Sequence, residues 1–116
     1  LSGYSLAGLF ALWASTQTDL FYGVAAASPS VWFPGWMEFE QQHPIQAQHV
    51  YLSLGDKEER TKNTIMAAVG DHIRTLHSRL TERGANCALE WNSGGHFKDA
   101  GLRTAKAFQW VIEERT

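Results

Sequence analysis

The chain has 116 residues, enough for one domain with one core. Hydrophobic residues make up 44% and charged residues 19%, and the formal net charge is -2. That balance lacks the cationic surplus that nucleic acid or an anionic membrane selects, and no apolar run reaches the roughly 20 residues that span a bilayer.

The lone cysteine, Cys87, excludes an internal disulfide and fits a reducing compartment, so a cytoplasmic location is expected. Cys87 itself reads as a small apolar strand residue. The sequence opens without methionine, on what reads as the last residues of a strand, so residues 1–116 are expected to be one N-terminally truncated domain.

In Gly3-Tyr4-Ser5-Leu6-Ala7 a serine is flanked two positions away on each side by a tiny residue. This is a G-x-S-x-G nucleophile elbow with alanine in the last place. Such a turn carries the serine hydroxyl clear of the backbone, and strand and helix pass too closely for larger flanking side chains. The plainer alternative is a strand end at Gly3 and a helix N-cap at Ser5.

From Leu6 to Gln17 the spacing of Leu6, Leu9, Phe10 and Trp13 predicts a helix, and the intervening alanines predict that it is buried on most sides. A turn at 19–22 leads to Gly23–Ala27, a short apolar run that suits a strand covered on both faces, bounded by Ser28-Pro29-Ser30. The most aromatic stretch, Val31 to Phe39, is broken by Pro34 and Gly35, with a short helix expected over Trp36–Gln42. It reads either as a wall over a cleft or as a hydrophobic plug; a carbohydrate-binding surface of Trp32, Phe33 and Trp36 ranks last, because no repeated strand pattern accompanies it.

Val50–Leu54 is a strand closed by Gly55, and the polar loop 56–63 follows. A helix is expected over Thr64–Arg83, with Ile65, Val69, Ile73, Leu76 and Leu80 on one stripe and Gly84 as its stop. His72 and His77 flank that stripe with no partner at ligand spacing, so no metal site is assigned. Cys87–Trp91 is a further strand, Asn92 to His96 a glycine-rich turn, and Asp99–Glu113 a last helix with Leu102, Ala105, Phe108 and Ile112 expected inward.

Strands and helices alternate, which implies an α/β fold: a parallel sheet with helices on both faces. In such sheets functional groups gather at the carboxyl ends of the strands. Three of those ends carry suitable chemistry, first Ser5, then Asp56, Glu58 and Glu59, then His96. Serine, acid, histidine is the chain order of α/β-hydrolases.

Gly-Tyr-Ser-Leu-Ala-Gly-Leu-Phe at 3–10, Ser-Pro-Ser-Val-Trp-Phe at 28–33, Leu-Gly-Asp-Lys-Glu at 54–58 and Gly-Gly-His-Phe at 94–97 resemble the esterase branch of the α/β-hydrolases that holds the enterochelin-esterase-like and esterase D-like enzymes. The resemblance spans nearly the whole chain, as the C-terminal part of that fold. It implies Ser5 as acyl-accepting nucleophile, His96 as base, and an acid three residues after the strand-closing glycine, which gives Glu58, with Asp56 as rival nearer the strand end. It also implies the Leu6 N–H as one oxyanion-hole donor and Tyr4 and Trp32 as substrate contacts. The implied activity is hydrolysis of a small-molecule ester or lactone, siderophore trilactones among them, with no metal or cofactor and no nucleic-acid or membrane partner.

In the family pattern the second oxyanion donor comes from a loop after a strand earlier than Leu1. The alternative reading is therefore a non-catalytic remnant. With Leu1 and Ser2 too short to pair, Gly23–Ala27 is expected to be an unpaired edge prone to self-association.

Overall fold

The computed structural model describes residues 1–115. In chain order these form β1 (Ser2–Tyr4), α1 (Leu6–Gln17), β2 (Gly23–Ala27), α2 (Trp36–Gln42), β3 (His49–Gly55), a 3-10 turn (Glu58–Arg60), α3 (Thr64–Ala67), α4 (Val69–Glu82), β4 (Asn86–Asn92) and α5 (Ala100–Arg115). The four strands make one parallel sheet in the order β1-β2-β3-β4, with Ala25 in register with Ser2 and Tyr51, and Val50 with Val24 and Cys87. Among the described residues no helix is long and apolar enough to cross a membrane.

Alternation of side chains along the strands sorts the core into two layers. Val24, Ala26, Val50, Leu52 and Leu54 face Leu9 and Leu12 of α1, Trp36 and Met37 of α2, and Val69, Ile73, Leu76 and Leu80 of α4. Ala25 and Tyr51 face the other way, against Ala107, Trp110 and Val111 of α5. The α2 helix is locked to α4 by Glu40, fully buried, which takes Arg83 at 2.6 Å and Arg79 at 3.4 Å. A carboxylate at that depth requires such partners.

Four expectations are corrected. Ser2–Tyr4 does pair with β2, helped by Ala25 N–H donating to the Leu1 carbonyl at 2.8 Å, so β2 is an inner strand and β1 is the edge. Helix α1 is buried along one face only: Gly8, Leu9, Ala11 and Leu12 go inward, while Leu6, Phe10 and Trp13 are exposed, Phe10 at 62%. Gly8 and Ala11 allow the close approach to the sheet, and Leu9 and Leu12 fill the core beside them.

Helix α5 is turned the same way. Arg103 and Ala107 are buried, whereas Leu102, Ala105, Phe108 and Ile112 are exposed, because the sheet beneath is lined by Ala25 and Tyr51 and the inward polar position is taken up by ion pairing. The helix expected over Thr64–Arg83 bends at Ala68, whose ψ of -9 falls short of the helical value, and Ile65 is consequently exposed. The remaining stripe, from Val69 to Leu80, is buried.

Candidate active site

Ser5 stands between β1 and α1 at φ 61 and ψ -123, a region that costs a non-glycine residue roughly 1–3 kcal/mol. The turn is held by Ser5 N–H donating to the Ala27 carbonyl at 3.0 Å and by the Ser5 carbonyl accepting from Ser30 N–H at 3.1 Å. Gly3 makes the turn passable, since a Cβ there would collide with the Ala7 backbone. The crowding does not extend to Ala7, which is exposed. Ser5 occupies the N-cap position without making a capping bond. Its hydroxyl goes elsewhere.

That hydroxyl lies 2.8 Å from His96 Nε2, and His96 Nδ1 lies 2.6 Å from Glu58 Oε1. An ionised carboxylate only accepts, so Nδ1 carries the proton and Nε2 is left to accept from Ser5. Three strand ends converge here: Ser5 after β1, Glu58 after β3, His96 after β4. Gly55 permits the last two loops to meet, because a Cβ on it would strike the Gly94 carbonyl.

Glu58 Oε2 is anchored separately. It accepts from Gly55 N–H at 2.6 Å and from the Ser28 hydroxyl at 2.7 Å, with Arg103 Nη1 at 3.4 Å. Asp56 does not reach His96; its carboxylate accepts from Gly94 N–H at 3.0 Å and so pins the histidine loop. Glu59 turns away to a two-pronged pairing with Arg74, both contacts at 3.0 Å.

A cavity of about 350 Å³ opens over Ser5 and His96, lined further by Trp32, Lys57, Met66 and Phe97. Of the two expected substrate contacts Trp32 lines it and Tyr4 does not. The register of Tyr4 with Ala27 turns its side chain to the α5 face, where its ring packs 5.4 Å from the His96 ring. The aromatic stretch thus serves two ends: Trp32 walls the cavity, and Val31, Trp36 and Met37 fill the core. Leu6 opens α1, so its N–H has no acceptor within the helix. His72 and His77 bond to the carbonyls of Val31 and Cys87, at 2.9 and 3.1 Å.

No protein-family model and no curated protein matches the sequence. Among solved structures the chain is similar to the siderophore hydrolase EstA from Aspergillus nidulans, with a TM-score of 0.65 at 22% identity over 97% of this chain and 48% of that one. The likeness is one of fold: a parallel sheet with helices on both faces, shared with part of that structure. The chain spans about half the length of the structure it matches.

Two residues at the site escaped the sequence reading. Ser28 ends β2 at φ 43, and the rule that function gathers at strand ends would have flagged it. Arg103 is 1% exposed on α5; its signal was weak, an arginine four residues before Ala107 on a helix whose bulky apolar residues suggested another inward face.

Proposed function

We propose that the chain carries the catalytic residues of a serine carboxylic-ester hydrolase that works through an acyl-enzyme. The observation that carries this reading is the unbroken hydrogen-bonded line from Ser5 through His96 to Glu58, with Ser5 on a strained strand-to-helix turn. Ser5 Oγ attacks the ester carbon as its proton passes to His96 Nε2, and Glu58 stabilises the imidazolium that forms. The tetrahedral oxyanion takes a hydrogen bond from the Leu6 N–H. Its collapse expels the alkoxide, which recovers the proton from His96. Water, deprotonated by His96, then attacks the acyl-enzyme and releases the acid, restoring the Ser5 hydroxyl. Trp32 contacts the substrate in the cavity, and Tyr4 supports the His96 ring. The likeness to a siderophore hydrolase supports esters or lactones of siderophore type as substrates.

A fluorophosphonate probe should label Ser5, and Ser5→Ala should lower turnover of short p-nitrophenyl esters by on the order of 10⁶. Activity of Ser5→Ala at the parent level would overturn the enzymatic reading.

A further inference from the structure

We propose that Arg103 is a positioning residue, one guanidinium that ties the loop bearing Glu58 to the loop bearing His96 from inside the protein. This inference rests on the esterase reading and extends it to a residue that touches no substrate.

The guanidinium is almost wholly buried; both of its Nη groups find acceptors, while its Nε has none. Nη1 lies 3.2 Å from Ser28 Oγ and 3.4 Å from Glu58 Oε2, while Nη2 donates to the carbonyls of Gly95 at 2.9 Å and Ser93 at 3.4 Å. One edge of the planar group therefore faces the acid and its serine, and the other grips the backbone on either side of Gly94, just before His96. The two oxygens of Glu58 divide the work. Oε2 is fixed by Gly55 N–H, Ser28 and Arg103, which sets the rotation of the carboxylate and aims Oε1 at His96 Nδ1.

Outside this clamp the loop is held to the β3 end by Asp56 to Gly94 N–H and by Lys57 N–H to the Gly94 carbonyl, each at 3.0 Å. Those bonds fix Gly94. The bond to the Gly95 carbonyl acts one residue nearer to His96. Lysine cannot replace the arrangement, because its single ammonium lacks the rigid fork that addresses two loops at once. A misplacement of about 1 Å in such a site costs on the order of 10² in rate.

The experiment compares parent, Arg103→Lys and Arg103→Met in the full chain, with Lys106→Met as a control. Lys106 lies one turn along the same helix and is exposed, bonding Asn92 and Glu90 outside the site. Arg103→Met should lower kcat about 10²-fold with KM little changed, Arg103→Lys should fall between, and Lys106→Met should match the parent. By proton NMR the downfield His96 Nδ1–H resonance should be present in the parent, weakened in Arg103→Lys and lost in Arg103→Met. A folded Arg103→Met or Arg103→Lys that keeps both parental kcat and this resonance overturns the proposal. So that folding failure is no escape, the parent alone should show resolved, slowly exchanging Arg103 Nη protons. A single averaged, fast-exchanging signal there also overturns it. Loss of activity in the parent itself would instead count against the esterase reading, leaving both NMR measurements as tests of the clamp.

Discussion

At the scale of single residues the site separates two acidic groups that stand two positions apart. Glu58 faces His96 at 2.6 Å, and Asp56 holds Gly94 N–H at 3.0 Å. Glu58→Gln should therefore lower kcat, by up to about 10⁴ if the charge on the imidazolium must be balanced. Asp56→Asn keeps an oxygen for Gly94 and should lower kcat much less. Steady-state rates on one ester decide it, and the reverse ranking would hand the acid's role to Asp56. Ser5 and His96 were legible at strand ends with a motif around each, whereas Glu58 was set apart from Asp56 and Glu59 only by the resemblance to the esterase branch. Ser28 and Arg103 were not legible, because hydrogen bonding to a buried carboxylate leaves no period in the sequence. Cys87 agrees with its reading as a strand residue: burial pushes its thiol up to about 12. Because burial penalises the thiolate, folding stability falls as pH rises from the ordinary thiol value of 9.0 toward 12, and the thiol is neutral in both states below that window.

Elements were readable in kind and order, less so in which face they turn to the sheet. The strands announced themselves as short apolar runs ended by glycine or serine, and α4 by a clean stripe from Val69 to Leu80. Helices α1 and α5 carry apolar residues on more than one face, so periodicity alone leaves their rotation open. In α1 the inward face carries Gly8, Leu9, Ala11 and Leu12 while Phe10 stays outside, and in α5 it carries Arg103 and Ala107 while Phe108 stays outside. This yields a prediction for α5. Ala107→Leu, at a fully buried position, should cost about 1–3 kcal/mol by overpacking against Ala25 and Tyr51. Phe108→Ser should change stability by no more than about 0.5 kcal/mol. Denaturant midpoints at constant slope measure both, and the opposite order would mean that α5 is rotated by about 100° from the arrangement described here.

For the whole molecule the decisive feature is the open side of the sheet. Strand β1 is three residues long and, among the described residues, pairs with β2 alone, so its other side presents backbone donors and acceptors to the surface. Helices α1 and α5 pack against β1 from opposite faces of the sheet, and each carries exposed apolar residues. On one face Leu6, Phe10, Trp13 and Phe33 border an apolar hollow of about 400 Å³; on the other stand Phe108 and Ile112, the latter 60% exposed. Surface of this kind, next to an unpaired strand, invites another chain to add on. The polypeptide of residues 1–116 on its own should therefore associate, and its mass by light scattering should rise with concentration. Phe10→Lys, by placing a charge in the exposed apolar surface, should shift it back toward monomer without unfolding it. The same polypeptide should also be a poor esterase. In the proposed mechanism an oxyanion held by the Leu6 N–H alone would forgo about 10²–10³ in turnover. A monomer at every concentration that turns esters over at ordinary rates, about 1–10³ per second, would show that the 1–116 chain satisfies its own edge and completes its own site.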